Sequence, residues 1–154
     1  MGYRRLFILR KDLNLSAGKL AAMVGHCAES YWTNLIKDNI HAITNIDKNG
    51  FTENYISSFS LDSGIYEEYI SGIFTKTICE AKNLNQLMKA KTIAEELGMV
   101  EGKDFSIIAD CCLTELEPEY IDENGVGRTI VGIAFKPLPD EVAHKISKKY
   151  QLYK

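Results

Sequence analysis

An apolar run, Leu6-Phe-Ile-Leu9, passes through a short polar turn into a long helical pattern, and this junction most constrains the fold. The continuous apolar centre of Arg4 to Arg10 is what a strand covered on both faces requires. Ser16 is a good N-cap. Leu20, Val24, Cys27, Tyr31 and Leu35 then recur at helical spacing, and the helix is predicted to end near Lys37 to Asn39. Ala17, Gly18, Ala21 and Ala22 are small enough for the start of this helix to sit against another backbone. The turn delivers Lys19 to the first helical turn, where the dipole favours negative charge. A cation set against that field calls for an anionic partner or a ligand.

The same alternation continues along the chain. Asn45, Asp47, Asn49 and Gly50 read as a turn. Ser63 to Ile70 reads as a short helix capped by Ser63 and ended by Gly72. Ile73 to Cys79 is the second strand, with Phe74, Lys76 and Ile78 on one face. Leu84 to Leu97 is helical, with Gly98 in the C-terminal position that glycine favours. Phe105 to Asp110 is the third strand, Asn124-Gly125 a turn, and Arg128 to Phe135 the fourth strand. Pro137 and Pro139 break the chain, and Asp140 is placed to cap a last helix through Lys149. Strands separated by helices give an α/β fold: a small mixed four-stranded sheet with helices on both faces, three layers α/β/α. The last two strands have no helix between them and are expected to pair antiparallel. A ligand site belongs at the carboxyl ends of the parallel strands, at Arg10-Lys11-Asp12 and at Asp110.

A net charge of -3 excludes a uniformly basic nucleic-acid binder and leaves a local basic face open. Arg4, Arg5, Arg10, Lys11, Lys19, Lys76 and Lys82 are the candidate phosphate contacts. No run of eighteen apolar residues is present, so no membrane span is expected, and Met1 to Arg5 does not lead into a signal peptide. Cys27, Cys79, Cys111 and Cys112 form no C-x-x-C pair. They read as small buried hydrophobes in a reducing cytoplasm rather than as a metal site. Tyr31 and Trp32 read as core, and His41 and His144 as surface.

At these residues the chain resembles the type 2 peptidyl-tRNA hydrolases, the archaeal and eukaryotic type. That family opens with a strand followed by R-x-D-L, a short loop, G-K-x-A-A-Q and a nearby histidine. Here Arg10, Asp12, Leu13, Gly18, Lys19, Ala21, Ala22 and His26 occupy that pattern. The family's later D-A-G-R-T-Q corresponds to Asp110 through Glu115, with Asp110 and Thr114 kept. Its threonine-led last strand, proline and C-terminal helix correspond to Thr129 to Phe135, Pro137 and the residues beyond. The family's glutamine is Met23 here, and its Ala-Gly-Arg is Cys111-Cys112-Leu113. The segment about 39–71 is longer than the resemblance calls for, so residues 1–154 are expected to form a single domain of this kind with an insertion there.

The resemblance implies hydrolysis of the ester between peptide and tRNA, releasing free tRNA, in the cytoplasm, with peptidyl-tRNA as the nucleic-acid partner. It implies a homodimer and neither cofactor nor metal. It implies catalytic roles for Lys19, Asp110, Thr114 and Thr129, and substrate-binding roles for Arg10, Asp12, Gly18 and His26. Asp110 would orient Lys19 or a water. Lys19 would stabilise developing negative charge or hold a phosphate, and the two threonines would place water and ester. No Ser-His-Asp arrangement is visible, which favours direct attack by water.

Each residue also has a plainer reading. Lys19 is then a solvated residue or a partner of Asp12, and Asp110 the cap of a turn. Arg10 is a local salt-bridge partner, His26 is structural, and the threonines serve a turn and a strand. The acidic segment Glu115 to Glu123 would repel tRNA if it lay at the site. The alternative function is a weak or inactive member of the same fold that binds protein or RNA.

Overall fold

In the computed structural model, which describes residues 2–44 and 54–154, β1 (Tyr3–Arg10) runs through the middle of the sheet. It lies parallel to β4 (Lys76–Ala81) on one side and antiparallel to β7 (Gly127–Phe135) on the other. β5 (Phe105–Asp110) adds to the far side of β7, antiparallel as expected. The carboxyl ends of β1, β4 and β5 therefore fall at one end of the sheet, bringing Arg10, Ala81 and Asp110 to the same rim.

Among the described residues the sheet has seven strands where four were expected. The additions are two-residue strands: β6 (Tyr120–Ile121) on β7, β8 (Leu138–Pro139) on β1 and β9 (Gln151–Leu152) on β4. Two residues carry no periodicity, so such strands exist only through their partners. Separately, β2 (Ile40–Thr44) and β3 (Asn54–Ser57) pair antiparallel in a two-stranded sheet. The turn expected over Asn45 to Gly50 lies outside the described residues.

Helices cover both faces. α1 (Ala17–Asp38) lies on one, burying Met23 and Cys27 against Phe7, Leu9, Val131 and Ala134. α2 (Leu84–Glu96) and α3 (Asp140–Ser147) lie on the other, where Leu87, Ala90 and Ile146 meet Leu6, Ile8 and Ile133. Alternate β1 residues thus face opposite layers, which is why its centre is apolar throughout. At about 1.5–3 kcal/mol for each large side chain fully withdrawn from water, these two layers are the main source of stability.

Several expectations need correcting. The small residues at the start of α1 do not pack against a backbone: Ala17, Gly18, Ala21 and Ala22 are exposed, and a Cβ at Gly18 would meet nothing within 4 Å. The apolar stripe of α1 takes the core-facing side, which leaves the small residues outside. Ser63 does not cap the next helix (Ile65–Ile73); the Asp62 carboxylate accepts from the Gly64 amide at 2.9 Å instead. Phe74 adopts a left-handed φ of 55° after the break at Gly72, so β4 starts later than predicted, at Lys76. Asp140 is the first helical residue rather than the cap. Its carboxylate lies 3.7 Å from Arg4.

One irregularity positions the site. In β7, Ile133 and Phe135 face α2 and α3, and strict alternation would send Val131 and Thr129 the same way. The register slips between Ile108 and Ala109, where Ile130 to Gly132 of β7 oppose two residues of β5. This bulge reverses the alternation. Val131 joins the α1 layer, and Thr129, opposite Asp110, falls on that face too. Gly132 suits the spot, because a Cβ there would lie 2.7 Å from the Ile8 carbonyl oxygen.

Candidate active site

Ser16 begins α1, and its side-chain oxygen accepts from the Lys19 amide at 3.3 Å, the predicted cap. Glu115 reinforces it from the far loop. One carboxylate oxygen accepts from the Ser16 amide at 3.1 Å and the other from the Ser16 hydroxyl. These bonds to Ser16 hold the Glu115 carboxyl below its ordinary range. The negative charge that the helix dipole favours is thus supplied in trans, about 100 residues along the chain, and α1 carries no acid in its own first turn.

Lys19 rises from this turn to the end of β5. Its Nζ lies 2.9 Å from Asp110 Oδ1 and donates to Thr114 Oγ1 at 3.2 Å. The second Asp110 oxygen accepts from the Cys112 amide at 3.0 Å. Burial works to raise the Asp110 carboxyl, but Lys19 and the Cys112 amide outweigh it and hold the group below the usual carboxylate range. An ammonium has three donors, and among the described residues two of those on Lys19 are engaged. The third is open to a ligand.

Cys112 closes the turn after β5 with a left-handed φ of 58°. Its thiol lies 3.4 Å from Thr129 Oγ1, and the Thr129 hydroxyl donates to the Glu117 carbonyl at 2.6 Å. Thr129 is fully buried. It pins the loop that carries Thr114 and Glu115, whereas Thr114 itself is exposed beside Lys19. Cys111 and Cys112 were expected to be buried hydrophobes. They are half-buried free thiols at the rim of the site, because they lie past the end of β5; only Cys27 and Cys79 are core.

The remaining sequence candidates fall into two places. Arg10 and Asp12 form a neighbouring cluster. The Arg10 guanidinium donates twice to Asp12, at 3.1 and 2.9 Å, and also to Glu119 at 2.7 Å and the Ile130 carbonyl at 2.9 Å. The bonds to Asp12 raise its pKa against the cost of burial, with Glu119 adding to them. The Lys19–Asp12 partnership weighed from sequence is absent from the contacts of the described residues; Asp12 faces Arg10 and Lys19 faces Asp110. Gly18 and His26 lie on the exposed side of α1, with His26 at the mouth of a groove between α1 and β5. Arg5, a sequence candidate for phosphate, is fully buried and donates to the main-chain oxygens of Phe135, Ala28 and Cys27, so it is structural.

The acidic loop lies close to the site, but much of its charge is internally matched. Glu115 caps α1, Glu119 pairs with Arg10, and Asp122 accepts from Arg128 at 2.9 Å and from the Val126 amide. Met23, where the family has glutamine, is buried in the core one helical turn beyond Lys19. Sequence reasoning missed the Cys112 amide, the Ser16–Glu115 cap and the β5 groove. The Asp110-x-Cys112 spacing is the one local signal among them, as an Asp side chain readily accepts from the amide two residues on.

A lysine–aspartate pair with one open donor, at the carboxyl end of a mixed sheet and beside a groove, defines an α/β protein with a polar catalytic-type centre. The peptidyl-tRNA hydrolase PTH2 family profile matches residues 3–153, and the chain belongs to that family. Its relatives include peptidyl-tRNA hydrolases of Thermococcus sibiricus, 27% identical over 154 residues, and Thermoplasma acidophilum, 24% identical over 149 residues. Each comparison covers 97% of both chains. A solved structure of a protein of unknown function from Agrobacterium tumefaciens shares the fold at 14% identity and a TM-score of 0.53. It covers 100% of this chain and 99% of that one.

Among the described residues, no helix is long and apolar enough to cross a membrane, and no group of three or more His, Cys, Asp or Glu is placed to hold a metal.

Proposed function

We propose that this protein hydrolyses the ester between peptide and tRNA in peptidyl-tRNA, and that Lys19, Asp110 and Thr114 carry the reaction. The observation that supports these roles is the open donor on Lys19, held by Asp110 and Thr114 at the sheet rim. Water attacks the ester carbonyl carbon. The carbonyl oxygen takes up negative charge, which Lys19 Nζ stabilises. Collapse breaks the bond to the ribose oxygen, and that oxygen takes up the proton the water gives up. The products are free tRNA and a peptide carboxylic acid, which releases the second proton of the water to solvent and leaves as the carboxylate.

Asp110 fixes Lys19 rather than acting as the base, because a carboxyl with a depressed pKa is a weak proton acceptor. Thr114 sits where its hydroxyl can place the water. Thr129 is a positioning residue that holds the 111–119 loop, and Arg10 with Asp12 braces the rim beneath it. Gly18 and His26 face the substrate from the exposed side of α1. A cytoplasmic homodimer of single-domain chains acting on tRNA completes this reading; sedimentation tests the dimer.

The test is release of labelled peptide from peptidyl-tRNA by the wild type and by Lys19→Ala. Hydrolysis lost in a folded variant supports the proposal. Equal rates remove Lys19 from the mechanism, and a folded but inactive wild type favours the binding-module alternative.

A further inference from the structure

β5 is the outermost strand of the sheet on its side among the described residues, and its free edge faces the flank of α1 across an open groove of ≈ 530 Å³. His26, Ser30 and Asn34 line one wall and Ser106, Ile107 and Ala109 the other. The groove runs along β5 to Ala109, next to Asp110.

The direction of the main-chain groups follows from the pairing. The Lys136 amide donates to the Asp104 carbonyl at 2.9 Å, so Ser106 and Ile108, at two-residue intervals, also face β7. Phe105 and Ile107 then face outward. Phe105 confirms this, since its carbonyl accepts from the Gly102 amide at 2.7 Å on the outer side. Beyond the bulge, Ala109 opposes Ile130, whose carbonyl turns away from β5 to Arg10. Ala109 therefore also presents its amide and carbonyl to the groove. The returning chain at Glu101 and Gly102 covers only the start of the edge.

We infer that the peptide part of the substrate binds as an added parallel strand on the free edge of β5, with its C-terminal ester delivered to Lys19 and Asp110. This rests on the hydrolase reading above. The occupant is argued from continuity: the groove runs along β5 to Ala109, the residue before Asp110, and that is the end where an ester must lie. A chain entering from the Gly102 end runs in the same direction as β5. Ser106 to Ala109 spans roughly 10 Å, room for three or four extended residues. Main-chain pairing recognises any sequence, and the walls supply polar side chains rather than deep specificity pockets. An aminoacyl group has no amide to pair, so the same edge favours peptidyl over aminoacyl esters.

The test is a scan of tetrapeptidyl-tRNA substrates, N-methylated at one amide at a time, against the full chain. In a parallel pairing, Ile107 and Ala109 bond to alternate residues of the peptide. N-methylation at alternate positions should lower kcat/KM about fivefold or more, with little effect between them. Thr33→Trp, an exposed change on the α1 wall, should raise KM for the unmodified tetrapeptidyl substrate and flatten the alternation. Equal rates at every N-methyl position, with KM unchanged in Thr33→Trp, overturn the inference and leave the hydrolase reading standing. No hydrolysis of the unmodified substrate overturns that reading, and this inference with it.

Discussion

Two ion clusters sit side by side at the same rim, built from the same kinds of residue. Arg10 is closed: its side chain is 6% exposed, and Asp12, Glu119 and the Ile130 carbonyl engage all three of its nitrogens. Lys19 is partly open, at 14%, with one donor left over. Both cations come from the N-terminal segment, and both meet acids from the end of β5 or the loop beyond it. The difference is one of degree. Four of the five Arg10 donors are engaged against two of the three on Lys19, and Lys19 is the more exposed. The guanidinium therefore braces the structure, while the ammonium can act on a ligand.

The largest effect that separates them is Lys19→Met. Peptidyl-tRNA hydrolysis should fall by about 10²–10³-fold, in the range of a lost oxyanion donor. The urea midpoint should fall too at neutral pH, because the buried Asp110 loses the cation that holds it ionised. Arg10→Met should differ in sparing activity. It should cost about 2 kcal/mol of stability, less than a fully buried pair, because Asp12 and Glu119 are each over a third exposed and rehydrate. Its folded fraction should keep a near-wild-type kcat. If Arg10→Met kills activity without destabilising the fold, the contrast fails.

Met23→Gln sharpens the comparison within α1. Met23 is 1% exposed, so an amide there should cost about 1–2 kcal/mol while kcat holds. Kinetics and a denaturation curve on one sample check both halves.

The smallest effect is pH-dependent. The folded Asp110 pKa lies below its unfolded value of about 3.9. Its contribution is therefore complete above that value and lost as the pH falls through the folded pKa. The stability gap between wild type and Asp110→Asn should be constant from about pH 6 to 8 and narrow below about pH 4. Urea midpoints at pH 7 and pH 3 measure it, and a gap that widens in acid contradicts the pairing.

Much of this was legible in the chain. β1, β5, β7, α1 and α2 have apolar patterns long enough to declare themselves, and Ser16 and Gly98 mark helix ends by local chemistry alone. The position of Lys19 in an unfavourable dipole announced a partner. β6, β8 and β9 were not legible, since two residues hold no period. Nor was the outward turn of Gly18, Ala21 and Ala22, because small residues suit both a close contact and an open surface. The readings of Ser63 and Asp140 as caps failed for a related reason: the Asp62 carboxylate takes the Gly64 amide, and Pro139 occupies the cap position before Asp140, whose amide donates to the Gly2 carbonyl.

The sequence by itself determined the order of strands and helices, the two apolar layers and the separate arrival of Lys19 and Asp110 at strand ends. These follow from periodicity and capping, which act over a few residues. Only the tertiary structure decided which cation would be more fully engaged, that Glu115 would serve the helix dipole in place of a local acid, and that Thr129 would turn to the α1 face. Those depend on a one-residue slip in register between β5 and β7, and a slip is a property of the pair of strands rather than of either one.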